Sequence, residues 1–358
     1  MSFLFLQILS LKSHKRGQYI RGTGKGEKYM DFVEKVPFAL VFVLLIAGFV
    51  LLVKGADFFV EGSSSIAKRF HVPSIIIGLT IVAMGTSLPE TAVSVTASIA
   101  GNNALAVSNA VGSNIFNLMV VIGFCAVMTP VVVQKDTLKR DFPISIACAV
   151  LLLIFGAIGP MTLGRVDGAV FIVLFAVFIV VMVRSALRAS KEAKAAAVEA
   201  GGEGEEIKVI SMPKSIIFII GGAAAIAIGG DLVVDSASRI ATTFGMSQTL
   251  VGLTIVSIGT SLPELVTSVV AARKKEVDMA LGNAIGSNIF NILMVLGIAS
   301  AISPIAFITE NIIDIAILLI FSIVIWIFAW SRKKINRTEG VIMLLLYAAY
   351  AVYIVIRG

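Results

Sequence analysis

The sequence predicts an all-α polytopic membrane protein, with ten transmembrane helices arranged as two inverted five-helix repeats. The 358-residue chain is 58% apolar and 14% charged, with a mean hydropathy of +1.00, whereas about a quarter of a soluble domain is charged. Its apolar residues fall in blocks of about 20, the length that crosses a bilayer as a helix. The two halves of the chain also repeat each other. Composition therefore excludes a soluble globular protein and a disordered one.

Ten apolar blocks are predicted to cross the membrane. They cover residues 37–60, 73–100, 104–129, 142–160, 166–186, 215–238, 249–272, 277–303, 311–330 and 339–356. A polar stretch rich in Ala, Glu, Lys and Gly separates the fifth block from the sixth. The predicted organisation is an N-terminal extension at 1–36, a first five-helix repeat at 37–186, a short linker at 187–214 and a second repeat at 215–358.

Lys and Arg residues orient the predicted spans, because cytoplasmic loops carry an excess of them. With the linker in the cytoplasm, the inner loops after residue 36 carry eighteen Lys and Arg residues, whereas the outer loops and the C-terminus carry three. We therefore expect a plasma (inner) membrane protein with both termini outside. The basic extension 1–36 contradicts this bias, and it is either an interfacial segment or a sign that the natural start is Met30, the hypothesis that we favour.

The remaining composition excludes several classes of function. Two Cys and two His residues give no disulfide framework and too few ligands for a zinc or haem site. The chain also lacks a phosphate-binding loop of the G-x-x-x-x-G-K-[ST] type. We expect no cofactor, no nucleotide and no nucleic acid as partner. The net charge of +7 comes mainly from Lys and Arg residues in loops, so it does not indicate nucleic-acid binding.

The internal repeat becomes visible when the sequence is shifted by 174 residues, which aligns 57–130 with 231–304 without a gap. The matched motifs are G-L-T-I-V at 78–82 and 252–256, G-T-S-L-P-E at 85–90 and 259–264, and G-S-N-I-F-N at 112–117 and 286–291. Five spans in each repeat make the second copy enter the membrane from the opposite side. Such inverted repeats are typical of secondary transporters with a midplane site.

The G-T-S-L-P segments are predicted to break a helix near the membrane midplane. The eleven residues from Ser74 to Met84 make about 16 Å of helix, roughly half a bilayer. Pro89 then lacks a backbone donor, and Gly85 tolerates unusual dihedral angles. Broken backbone at this depth must be buried in protein or line a cavity.

Glu90 and Glu264 directly follow the predicted breaks and are the acidic residues in the middle of the spans. An ionisable group at this depth is by default a functional hypothesis. The alternative is a capping box, with Ser87 as N-cap and Glu90 at the third helical position. Capping explains why the helix restarts, but it does not explain the depth of the motif or its repetition.

A second polar element lies on one face of the third span and is repeated in the eighth, because its residues are spaced by four. Its members are Asn109, Ser113 and Asn117, with copies Asn283, Ser287 and Asn291. The alternative interpretation is close packing between transmembrane helices, which small and amide residues also serve.

Together the motifs offer an all-oxygen set of ligands. The candidate metal-ligating side chains are Glu90, Glu264, Asn117, Asn291, Thr86, Ser87, Thr260, Ser261, Ser113 and Ser287. Six or more oxygen ligands suit a hard cation, Ca²⁺ above all, with Na⁺ as a competitor. Two carboxylates neutralise one divalent ion, whereas the empty site would carry two negative charges. Because this empty state is costly, the carrier is expected to return only with another ion bound, which is exchange.

These motifs resemble the two alpha repeats of the Ca²⁺/cation antiporter superfamily, in particular its sodium/calcium exchanger branch of the prokaryotic type. The resemblance covers the chain from about Val36 onward. It implies ten helices, alternating access and a central cation cluster, and it adds the backbone oxygens of Ala83 and Ser257 to the ligands. Some exchangers carry Asp at the position of Asn291, which leaves the Na⁺ stoichiometry and K⁺ cotransport open.

The sequence therefore predicts a secondary antiporter, not an enzyme, that exchanges Na⁺ for Ca²⁺ across the lipid bilayer. The alternative is exchange of H⁺ for Ca²⁺ or for another divalent cation, since a protonated glutamate can replace one Na⁺. A cation channel would need a continuous pore, which two inverted breaks at one occluded cluster do not favour. An intramembrane enzyme would need a Ser/His, Ser/Lys or Asp/Asp set at membrane depth, and the spans contain none.

Overall fold

The computed structural model describes residues 33, 35–99, 104–157, 161–199, 209–246, 255 and 257–357. Most of these residues are helical, and eight helices are long and apolar enough to cross a membrane. A further pair, bent by 46°, makes a ninth candidate span. The prediction of a mostly helical integral membrane protein is confirmed. The extension 1–36, with Met30, falls almost entirely outside the described residues.

The elements of the first half include two long helices and several short ones. The helices are α1 (Phe38–Phe70), α2 (Ser74–Ile77), α3 (Ala83–Thr86), α4 (Leu88–Ile99), α5 (Ala104–Phe116), α6 (Ile122–Met128), α7 (Phe142–Ala157) and α8 (Arg165–Glu199). The π-helices are π1 (Gly78–Val82), π2 (Asn117–Val121) and π3 (Thr137–Asp141), and the strands are β1 (Val131–Val132) and β2 (Thr162–Leu163).

The second half follows a similar order. Its helices are α9 (Met212–Thr243), α10 (Ser257–Gly259), α11 (Leu262–Arg273), α12 (Val277–Phe290), α13 (Gly297–Ile302), α14 (Thr309–Arg332) and α15 (Arg337–Arg357). It also contains π4 (Asn291–Leu296), β3 (Ile305–Ala306) and β4 (Lys334–Ile335). The predicted span 249–272 begins among residues outside the described part of the chain, so the number of ten spans stays a prediction.

Two spans form the interior of the molecule. The α5–α6 span is 72% buried over its most apolar stretch and the α12–α13 span is 78% buried, against 22% for α1 and 28% for α9. The outer helices leave large apolar side chains exposed, as a lipid-facing surface requires. Polar residues on the two interior spans are therefore enclosed by protein.

Helices α1 and α9 cross so closely that glycine is required at the contact. A Cβ atom on Gly55 would lie 2.8 Å from the Cβ of Ala225, and one on Gly222 would lie 2.8 Å from the carbonyl oxygen of Gly55. Small residues permit such an approach between membrane helices. The two helices therefore pack as a tight pair.

Two short antiparallel ribbons join the halves of the chain. Strand β1 pairs with β4, with Val131 opposite Ile335. Strand β2 pairs with β3, with Leu163 opposite Ile305. Each ribbon thus links a loop of the first half to a loop of the second.

Candidate cation site

The predicted helix break in the first half is confirmed. Helix α3 ends at Thr86, Ser87 has φ −85° and ψ 10°, and the helix restarts at Leu88 after a bend of 46°. In the second half α10 ends at Gly259 and α11 begins at Leu262. Pro263 lies in the first turn of α11, where its missing N–H leaves no helical bond unmade.

The two glutamates lie inside the molecule, each in the first turn of a restarted helix. Both are 0% exposed, and their carboxylates interact electrostatically with each other. The Ser87 hydroxyl donates a hydrogen bond to Oε1 of Glu264 at 2.9 Å, which joins one half of the chain to the other. The two repeats therefore contribute to one site.

The capping-box interpretation is wrong for Ser87. Its hydroxyl donates to Glu264, and its backbone N–H donates to the carbonyl of Ala83 at 3.0 Å. Neither carboxylate oxygen of Glu90 has a hydrogen-bond partner among the described residues. Ser261, the N-cap of α11, likewise makes no side-chain capping bond.

Two threonines bond across the halves in equivalent ways. Thr86 Oγ1 donates to Oδ1 of Asn283 at 3.1 Å, and Thr260 Oγ1 donates to Oδ1 of Asn109 at 3.5 Å. The amide nitrogen of Asn283 in turn donates to the Ser268 hydroxyl at 2.9 Å. Each break is thus held against the predicted polar face of the opposite half.

The serines break this equivalence. The Ser261 hydroxyl donates to the Ser113 hydroxyl at 3.0 Å, whereas the matching Ser87 hydroxyl donates to Glu264 and not to Ser287. The Ser287 hydroxyl is buried and has no hydrogen-bond partner within the described ranges. The two halves therefore differ in their contacts although their motifs are the same.

Asn117 and Asn291 lie at the first positions of π2 and π4, and both are 0% exposed. Their amide nitrogens donate to Asn288 Oδ1 at 3.3 Å and to Asn114 Oδ1 at 3.1 Å, respectively. The sequence analysis did not include Asn114 and Asn288. Their presence in both copies of G-S-N-I-F-N was the signal that could have found them.

The two predicted backbone ligands lie beside the breaks. The Ala83 carbonyl in α3 accepts the N–H of Ser87, and Ser257 is the first residue of α10. Their role as ligands stays a prediction, as does that of the ten side chains.

Six buried oxygens of this network have no hydrogen-bond partner in the described part of the chain. They are Oε1 and Oε2 of Glu90, Oε2 of Glu264, Oγ of Ser287 and Oδ1 of both Asn117 and Asn291. Buried polar atoms are normally paired, so such a group requires an explanation. The described residues contain no group of three or more His, Cys, Asp or Glu side chains that could hold a metal ion. Amide and hydroxyl oxygens make up the rest of the unpartnered set.

The α1–α9 pair contacts both breaks through glycine. A Cβ atom on Gly85 would lie 2.5 Å from Cζ of Phe59 in α1, and one on Gly259 would lie 2.2 Å from Cγ2 of Val234 in α9. Any shift of the α1–α9 pair would therefore change the packing around the breaks that precede the two glutamates.

A second polar cluster ties α1 to the loop before α12. Glu276 accepts hydrogen bonds from the hydroxyls of Ser64 and Ser74, and Lys68 Nζ lies 3.1 Å from its carboxylate. Burial alone would raise the pKa of Glu276, but these donors outweigh it and hold the pKa below its ordinary value.

Membrane helices that break around a buried set of oxygens are typical of an integral membrane transporter of ions, since irregular backbone inside membrane segments forms binding sites in secondary transporters. The family model described as "Sodium/calcium exchanger protein" matches residues 40–184 and 214–356. The chain belongs to the sodium/calcium exchanger family. This is a family of membrane transporters and not a class of enzymes.

Individual relatives are similar over most of the chain. The sodium/calcium exchanger MaX1 of Methanosarcina acetivorans is 33% identical over 343 residues, covering 87% of this chain and 97% of the relative. The inner membrane protein YrbG of Escherichia coli is 35% identical over 318 residues, covering 85% and 93%. A solved structure of the sodium-calcium exchanger NCX_Mj, soaked with Na⁺ and Sr²⁺, matches with a TM-score of 0.75 and 32% identity, covering 87% of this chain and 98% of that one.

Proposed function

We propose that this protein exchanges Na⁺ for Ca²⁺ by alternating access, at a midplane site centred on Glu90 and Glu264. The observation that carries the proposal is the set of six buried, unpartnered oxygens within the described network. Ca²⁺ takes six to eight oxygen ligands, and carboxylate and amide oxygens are among those that it prefers. The hydroxyls of Thr86, Ser113 and the other predicted ligands, with the carbonyls of Ala83 and Ser257, would complete the set.

Exchange follows from the charge of the site. Two ionised glutamates balance one Ca²⁺, while several Na⁺ ions can supply the same charge in turn. An empty site would leave two like charges buried in a medium of low dielectric, which is costly. The carrier is therefore expected to change its exposed side only when loaded.

The proposed architecture is ten helices in two inverted five-helix repeats, with the repeat boundary in the linker 187–214. Reciprocal bonds support it, because Asn114 and Asn288, which are equivalent by the repeat, each donate to the other's backbone carbonyl. The Lys and Arg distribution supports a plasma membrane orientation with the linker in the cytoplasm and both termini outside.

The test is ⁴⁵Ca²⁺ uptake into proteoliposomes containing the full chain and loaded with either Na⁺ or K⁺. The variants are Glu90→Gln and Glu264→Gln, with Glu192→Gln on the exposed surface of α8 as a matched control. We expect uptake to require internal Na⁺, and each site variant to lose about 100-fold or more in uptake, because removing one charged partner from a buried ionic site is strongly unfavourable. The control should transport like the wild type.

Three outcomes would contradict the proposal in different ways. Wild-type uptake driven by an imposed pH gradient without Na⁺ would indicate exchange of H⁺ for Ca²⁺. Flux without a counter-ion and without saturation would indicate a channel. Normal transport by Glu90→Gln or Glu264→Gln would show that the site is elsewhere.

A further inference from the structure

We infer that Asn114 and Asn288 are positioning residues that aim the amide oxygens of Asn117 and Asn291 into the cation site. The inference rests on the proposed function and concerns how its ligands are oriented. None of the four side chains is more than 1% exposed. Their amide N–H and C=O groups must therefore be paired with protein atoms or with the transported ion.

Four asparagines bond to one another between α5 and α12, where π2 and π4 begin: Asn114 and Asn288 form a closed ring of two reciprocal bonds, and Asn117 and Asn291 each donate one further bond to that ring. The Asn114 amide nitrogen donates to the Asn288 carbonyl at 3.1 Å, and the Asn288 amide nitrogen donates to the Asn114 carbonyl at 3.2 Å. Asn117 donates to Asn288 Oδ1 at 3.3 Å, and Asn291 donates to Asn114 Oδ1 at 3.1 Å. Each half of the chain supplies two of the four side chains.

The backbone determines the orientation of all four amides. A backbone carbonyl can only accept a hydrogen bond, so the side chains of Asn114 and Asn288 must turn their nitrogens toward the two carbonyls. Their Oδ1 atoms then face the other way and can only accept. Asn117 and Asn291 must therefore present their nitrogens to the ring, which leaves their Oδ1 atoms directed away from it.

Those two Oδ1 atoms are among the six buried oxygens that lack a hydrogen-bond partner in the described residues. An amide that turned over would present two N–H donors to a cation, and the interaction would be repulsive. The ring prevents this, because a turned amide of Asn117 would set two oxygens, its own and that of Asn288, against each other. Asn114 restrains Asn291 in the same way.

A merely structural role would predict a different pattern of effects. If the ring only held α5 against α12, each substitution would weaken the site as a whole, and all pairs would combine alike. If Asn288 acts through Asn117, its loss should matter only while the Asn117 amide is present. Contacting residues combine non-additively, whereas independent ones add.

The experiment is a set of double-mutant cycles on Ca²⁺ affinity, measured by ⁴⁵Ca²⁺ binding to the purified full-length protein. We expect Asn288→Ala to weaken binding by about tenfold, and to weaken it no further than about twofold when Asn117→Ala is already present. With Asn291→Ala the effects should multiply. The reverse pattern is expected for Asn114→Ala: its effect on binding should be coupled to that of Asn291→Ala and independent of that of Asn117→Ala.

Glu90→Gln serves as the reference for the site itself. If Glu90→Gln abolishes binding while Asn288→Ala and Asn114→Ala bind normally, the inference is overturned and the proposed function stands. If all four double variants multiply their effects alike, the ring has a packing role only and the inference is again overturned. Wild-type binding by Glu90→Gln would overturn the proposed function instead.

The alanine variants leave cavities, so folding is checked by size-exclusion profile and Tm. If either alanine variant does not fold, leucine replaces it at the same position, because leucine has the same branching at Cγ as asparagine and accepts no hydrogen bond. The same cycles then apply, with the same crossed pattern expected. An uncrossed pattern in the leucine variants would overturn the inference.

Discussion

Gly85 offers a sharp test of how the α1–α9 pair meets the broken helix. A Cβ atom at this position would lie 2.5 Å from Cζ of Phe59 and 3.2 Å from Cε2. Carbon atoms pack best at about 3.5–4.0 Å, so in Gly85→Ala the phenyl ring would have to retreat by about 1 Å. The ring has little room, because Phe59 is 1% exposed and its Cβ and backbone N are held close to Gly222, where a Cβ atom would lie 2.8 Å from each.

Overpacking of this kind typically costs about 1–3 kcal/mol. Since about 1.4 kcal/mol is a factor of ten, the penalty corresponds to about 5–150-fold in an equilibrium constant. If α1 changes its position during transport, the penalty falls on the conformation described here and shifts the protein toward other states. We therefore expect Gly85→Ala to slow Na⁺-dependent ⁴⁵Ca²⁺ uptake by at least about fivefold.

The matched control is Gly221→Ala in α9, where a Cβ atom would meet nothing within 4 Å. This variant should transport normally. The double variant Gly85→Ala with Phe59→Leu should recover much of the lost rate, because leucine removes the ring atoms that clash. If Gly85→Ala transports as fast as Gly221→Ala, the reasoning from this contact is refuted.

Three further predictions concern stability, measured as Tm of the purified protein. Glu276→Gln should lower Tm at pH 7. The difference in Tm from the wild type should shrink only as pH falls below 4.5, because a carboxylate whose pKa is lowered in the folded state loses its stabilising effect in that range. A difference that is unchanged at pH 3.5 would contradict this. Arg357→Ala should lower the free energy of unfolding by about 3–5 kcal/mol, and Tm with it, since the Arg357 guanidinium makes two 3.1 Å contacts to the buried Asp314 carboxylate. An unchanged Tm would show that the pair is dispensable. Gly282→Ala should lower Tm more than Gly221→Ala does, because its Cβ would lie 2.5 Å from the Ile75 carbonyl, which is backbone and cannot turn aside; equal values would refute the close crossing.

Much of the site region could be predicted because its signals are local in sequence. G-T-S-L-P predicts a helix break from the chemistry of Gly85 and Pro89 alone, and the 46° bend lies there. The mostly helical membrane fold follows from apolar block length, which depends only on bilayer thickness. The family assignment follows from the two repeated motifs.

The π-helices could not be predicted, because one extra residue in a helical turn leaves no recognisable pattern in the local sequence. The contacts across the halves were equally out of reach. Ser87 bonds to Glu264 and not to the N–H groups of its own helix, and Asn114 bonds to a residue 174 positions away. Such choices depend on which helices become neighbours, which local propensity does not encode.

The ribbon of β1 with β4 has a consequence for how the protein is made. Its strands are about 200 residues apart in the chain, and synthesis proceeds at about 5–20 residues per second. After Val131 has emerged, about 10–40 s pass before its partner Ile335 exists. During that time the polar face of α5 is already made, while the asparagines of α12 that will satisfy it arrive only late in the interval. Any factor that shields nascent membrane helices has this period in which to act, and assembly of the cation site belongs to the last stage of biogenesis.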